Sequence, residues 1–157
     1  DPLVIGHDVY VELGCSGCHG ANGEGGTGAQ LSDGQVLQTF PDPLAMAHWI
    51  DFGAAEGARP DGTYGDPARE GGARNVNDLP GVMPAFPDVE PEEMAALIIY
   101  IREELSGGTA EDDPIFNVET FESNPELLVA ALEAVLELGP TGEPDLVAIE
   151  GAETDSE

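Results

Sequence analysis

Apolar residues recur at helical spacing in three stretches of the first 106 residues, each with its own start and stop. In the first, about residues 3 to 14, Gly6, Val9, Tyr10 and Leu13 share one face, with Pro2 near the start and Gly14 at the end. A shorter helix is predicted from Pro43 to about Phe52, stopped by Gly53. The third pattern is the clearest: Pro91, Glu92 and Glu93 suit a helix N-terminus, Met94, Leu97, Ile98, Ile101 and Leu105 form an unbroken apolar stripe, and Gly107-Gly108 end it. Between the second and third helices, Gly53 to Glu90 is rich in Gly, Pro, Asp and Asn and follows neither helical nor strand periodicity. A loop this long inside a compact domain is functional or disordered. Because it carries Gly81-Val82-Met83-Pro84, it is read as functional. With no internal repeat and no useful strand alternation, the fold class is all-α.

Beyond Gly107-Gly108 the composition changes. Residues 107–157 hold 14 acids and no base, against 18 acids and four arginines in residues 1–106, so each part carries a net −14. The expected organisation is one domain over residues 1–106 and an acidic C-terminal extension over 107–157. In the extension Thr109 to Asp113 reads as a linker. Asn124-Pro125 then opens one helix to Leu138, with Leu128, Ala131, Leu132, Val135 and Leu138 on its apolar side and Gly139-Pro140 as its stop, and Gly151 to Glu157 reads as disordered. A lone helix of this length is marginal in water, so that apolar side needs a partner, either the chain's own domain or a larger complex.

Charge narrows the function. The chain of 157 residues carries a formal net charge of −28, with no lysine, which argues against nucleic acid and anionic membrane surfaces as partners. A basic protein surface is favoured; solubility in a salty medium is the plainer explanation of the same excess. No run approaches the roughly 20 apolar residues that span a bilayer. The chain opens at Asp1 with no initiator Met and no apolar leader, which is what removal of a targeting segment, or of an anchor, would leave. Aromatic residues are only 6% and there are 21 Gly and 13 Pro, so the core is modest, and a bound cofactor is expected to complete it.

Cys15-Ser16-Gly17-Cys18-His19 supplies that cofactor's signature. Two thiols three positions apart can form thioethers to the two vinyl groups of one haem, and the histidine that follows is placed to ligate the iron. Three rivals stand beside this. A redox dithiol needs a preceding strand where a helix is predicted. A structural zinc site needs four ligands, and His7 and His48 lack the usual spacing. A plain disulfide leaves His19 without a role. A second axial ligand could come from Met46, Met83, Met94, His7 or His48. Met83 is selected because it lies in an irregular loop, where Gly81 permits close backbone approach and Pro84 restrains the chain.

The order Gly6, Tyr10, Cys15-x-x-Cys18-His19-Gly20, Leu31, Trp49-Ile50-x-x-Gly53, Gly81-Val82-Met83-Pro84-Ala85-Phe86 and Glu92 to Leu105 resembles the class I c-type cytochromes of bacteria over about residues 3 to 106. The resemblance implies a small cytochrome c fold whose N- and C-terminal helices cross through Gly6, Tyr10, Leu97 and Tyr100 or Ile101. It also implies one covalent haem c, bound through Cys15, Cys18, His19 and Met83 and attached outside the cytoplasm. The expected function is one-electron transfer between redox protein partners by a carrier that is not itself an enzyme. The alternative is a haem-bearing subunit held permanently in an oxidoreductase complex, and a haem open to gases or substrate is a third possibility. The family's docking lysines are missing, and the extension has no counterpart in its minimal form. Arg59, Arg69 and Arg74 fall in the long loop, where they either meet haem propionates or, more plainly, offset Asp61, Asp66 and Glu70.

Overall fold

The computed structural model describes residues 1–139; the tail expected to be disordered, Gly151 to Glu157, lies outside them. Helix α1 covers Pro2–Glu12, and the Asp1 carboxylate caps it by accepting from the Leu3 amide at 2.9 Å. A one-turn helix α2, Cys15–His19, follows directly, and a second short helix α3 spans Gln35–Thr39. Helix α4, Pro43–Gly57, is capped by Asp42, whose side chain accepts from Leu44 at 2.8 Å, and is broken at Gly53. The long loop is irregular apart from one antiparallel pairing of two-residue strands, β1 (Thr63–Tyr64) and β2 (Arg74–Asn75). Helix α5, Pro91–Ile99, runs on into a π-helical stretch, Tyr100–Leu105. Helices α6, Val118–Ser123, and α7, Pro125–Leu136, complete a helix-rich, all-α molecule.

Helix α1 crosses α5 as the resemblance implied. Gly6 makes the crossing possible, because a side chain there would collide with the Ala96 carbonyl and the Tyr100 Cβ. The Tyr10 ring meets that of Tyr100 at 5.6 Å, and Tyr10 is fully buried.

Helix α5 departs from the predicted single stripe. Every residue from Met94 to Arg102 is buried, not only the predicted face. The cause is α7, which packs on α5 and α4, so that α5 is covered from two sides and joins Leu128, Leu132 and Val135 in one core. A helix apolar all round is a buried helix. The π turn, closed by Ser106 N–H donating to Ile101 at 3.0 Å, carries burial on through Tyr100, Ile101 and Arg102 in succession.

The segment joining α5 to α6 also differs from expectation. Thr109 to Asp113, read as a linker, is a hydrogen-bonded turn in which Asp113 N–H donates to Thr109 at 3.0 Å. Asp113 is itself buried and paired with Arg102. The short helix α6, unanticipated, is capped by Asn117, whose side chain accepts from Thr120 at 2.9 Å. Helix α7 ends at Leu136, two residues before the predicted Leu138, which is exposed.

Candidate functional site

Cys15 and Cys18 stand on α2, one turn of helix that leaves Cys15 half-buried and Cys18 exposed. His19 closes that turn. Its Nδ1–H donates to the Ala29 carbonyl at 2.7 Å, which fixes the ring and leaves the lone pair on Nε2. Burial pushes the His19 pKa below its ordinary value against the opposing pull of that carbonyl, so the imidazole is neutral, as a metal ligand must be. Tyr10 reinforces the same corner by donating from its hydroxyl to the Gly20 carbonyl at 2.6 Å.

Met83 reaches the site on a loop pinned from two directions. Gly81 N–H donates to Thr27 at 3.0 Å, and Ala54 N–H donates to the Met83 carbonyl at 2.9 Å. The second contact depends on Gly53. With φ +72° and ψ −178° it occupies a region closed to other residues, and a Cβ there would sit 2.7 Å from the Ala85 nitrogen. In the sequence Gly53 marks a helix stop and one point of the family resemblance. Its further role, letting the Met83 loop lie against α4, depends on a contact 30 residues away in the chain and had no local signal.

These residues line one cleft of about 1190 Å3, counting its open mouth. Cys15, Cys18, His19 and Met83 share it with Leu13, Leu31, Val36, Phe40, Ile50, Leu97 and Ile101. Native interiors are close-packed, so an open cleft with mostly apolar walls in so small a domain suits a large apolar group. Among the other ligand candidates, Met46 also lines the cleft, but within helix α4 with 3% exposure. Met94 is buried in the α5 core, His7 lies outside with its ring edge-on to Tyr100 at 5.6 Å, and His48 Nε2 lies 2.9 Å from the Gly139 carbonyl.

The rivals lose ground on chemistry. A reactive dithiol needs a depressed thiol pKa, whereas burial pushes Cys15 up to about 11. Among the described residues no group of three or more His, Cys, Asp or Glu is arranged to hold a metal ion, so the zinc reading gains nothing.

Two of the three arginines of the long loop converge on α3. Arg69 and Arg74 both donate to the Gln35 side-chain oxygen, at 3.1 and 3.3 Å, and Arg74 lines the cleft. Among the described residues Arg69 Nε is buried without a partner. Arg59 donates to the Gly65 carbonyl at 2.8 Å. A cation on the wall of an apolar cleft, with a second sharing its Gln35 partner, suits a ligand that ends in carboxylates.

A helical shell around an apolar cleft, with a CxxCH turn on its wall, defines a covalent haem protein. The chain matches the family model for cytochrome c over residues 3–104, and it belongs to that family. No curated protein and no solved structure matches it. The cofactor is therefore covalently attached haem c, and the chemistry it supplies is haem-based electron transfer. The residues present fit it: apolar walls for the macrocycle, the Cys15 and Cys18 pair in the family's attachment motif, and a neutral imidazole beside them. No helix among the described residues is long and apolar enough to cross a membrane.

Proposed function

We propose that this chain is a monohaem electron carrier in which Cys15 and Cys18 form the thioethers and His19 and Met83 are the two axial ligands. The observation that carries the proposal is that all four line one apolar cleft, with His19 fixed through Ala29 and Met83 held on a loop pinned to Thr27 and Ala54. When bound, the haem supplies an iron that cycles between two oxidation states by one electron. The protein's part is to hold both ligand atoms so that little moves as the charge changes, and its apolar lining excludes water. Met83 is preferred over Met46 because its sulfur is carried on a loop rather than embedded in a helix. Arg74 and Arg69 supply positive charge for the haem carboxylates. With both axial positions filled by the chain, the reading is a carrier rather than an enzyme.

The Met83→Ala variant tests the assignment. Expected are loss of the weak near-infrared band of thioether-ligated ferric haem, a lower midpoint potential, and CO binding to the reduced protein at neutral pH. Retention of the band would return the role to Met46.

Burial of α7 against α4 and α5 occupies the extension's apolar face within the chain itself, which favours a free carrier over a permanently bound subunit. Size-exclusion chromatography of native extract distinguishes the two. Covalent attachment of haem argues for a compartment outside the cytoplasm, and the charge of −28 for a redox partner with a basic docking surface.

A further inference from the structure

Arg102, the arginine outside the long loop, has no part in the site as described above. It lies on the π-helical stretch, and its side chain and that of Asp113 are 1% and 0% exposed. The two meet through a fork, Nε donating to Oδ2 at 2.7 Å and Nη2 to Oδ1 at 2.9 Å. The guanidinium's remaining bonds go to the main chain, Nη1 to the Phe40 carbonyl at 2.5 Å and Nη2 to the Pro41 carbonyl at 3.0 Å. A planar five-donor group with its counter-charge supplied in place can hold two carbonyls at once, and a lysine cannot reproduce this.

Phe40 connects this clamp to the haem cleft. Its ring lies 6.3 Å from both Trp49 and Tyr64, which stack on each other at 4.0 Å, and all three line the cleft. Thr39, one residue earlier, accepts from Arg74 Nε at 3.4 Å, and its carbonyl accepts from the Asp66 amide at 2.8 Å. The segment Thr39–Pro41 is thus held by the long loop on one side and by Arg102 on the other. Asp113, which neutralises Arg102, lies beyond the residues 3–104 matched by the family.

We propose that Asp113, acting through Arg102, positions the aromatic wall of the haem cleft, so that the acidic extension sets the cofactor's environment as well as adding stability. This rests on the haem site proposed above. The test is the midpoint potential of the holoprotein, with the near-ultraviolet circular dichroism of the single tryptophan, Trp49, in Asp113→Asn, Arg102→Leu and the double variant Arg102→Leu/Asp113→Leu. Asp113→Asn leaves a buried cation without its partner, and Arg102→Leu leaves a buried anion. A pair acting on the iron through charge alone therefore moves the two potentials in opposite directions. Loss of position moves both downward, because a freed Phe40 admits water, which favours the more highly charged ferric state.

The double variant carries neither charge and still lacks the donors to Phe40 and Pro41. Its potential is expected to stay lowered and its aromatic signal altered even where its melting temperature matches the parent's, and it decides the matter if the single variants do not fold. Opposite shifts in the single variants, or parental potential and dichroism in the double variant, overturn the proposal. A parent without haem by pyridine haemochrome assay overturns the site reading instead. A haem-bearing parent with unmoved variants overturns this inference alone.

Discussion

Gly53 and Arg74 act on the site in separable ways. Replacing Gly53 by alanine places a side chain at φ +72° and against the Ala85 nitrogen, so the Met83 loop must lift from α4. The strain costs on the order of 1–3 kcal/mol, and the expected result is a lower unfolding midpoint in denaturant together with weakening of the near-infrared band. Arg74→Gln leaves the backbone alone and removes a positive charge from the wall of the cleft. The ferric state is then opposed less, so the midpoint potential of Arg74→Gln should fall in redox titration; an unchanged value would show that Arg74 serves only Gln35 and Thr39.

Helices α5 and α7 form the unit on which the core depends. Leu132 is fully buried between them and does not line the cleft, so Leu132→Ala should cost about 2–5 kcal/mol of stability while leaving the potential where it was. Chemical denaturation and redox titration of the same preparation check both halves. Glu103 lies where the π-helical stretch meets α6. Burial raises its pKa, Asp113 raises it further, and a hydrogen bond from the Val118 backbone pulls it down; one carboxylate oxygen is buried with no partner among the described residues. Because the folded pKa lies above the unfolded one, the stability linked to this group is fully present below the ordinary carboxylate range. It is lost as pH rises through the raised value. Glu103→Gln should therefore stabilise the protein at neutral pH, with the difference vanishing in acid. A variant that melts below the parent at pH 7 would mean that the charge is needed by α6.

Over the whole molecule, 32 acids against four arginines make self-repulsion a standing load on the folded state. Salt screens it, with a Debye length of about 8 Å at physiological ionic strength. The melting temperature should rise with added sodium chloride, while association with the proposed basic redox partner should slow steeply over the same range. Calorimetry and stopped-flow kinetics measure the two trends, and a partner rate indifferent to salt would remove electrostatic steering from the account. The extension supplies 14 of the acids, yet its α7 face, Leu128, Leu132 and Val135, lies in the core, so it carries charge outward and apolar surface inward at once.

The sequence alone determined what local physics controls: the helical stripes of α1 and α5, the proline and acidic caps, the attachment motif Cys15-x-x-Cys18-His19 and the irregular loop that carries Met83. These depend on neighbours a few positions apart, which the chain spells out directly. Only the tertiary structure decided that α5 is covered from both sides, that Gly53 is the seat of the Met83 loop, and that Arg102 and Asp113 form a buried clamp on Phe40 and Pro41. Each of those depends on groups dozens of residues apart being desolvated together, and a buried arginine looks like any surface charge until the segment that neutralises it has folded against it.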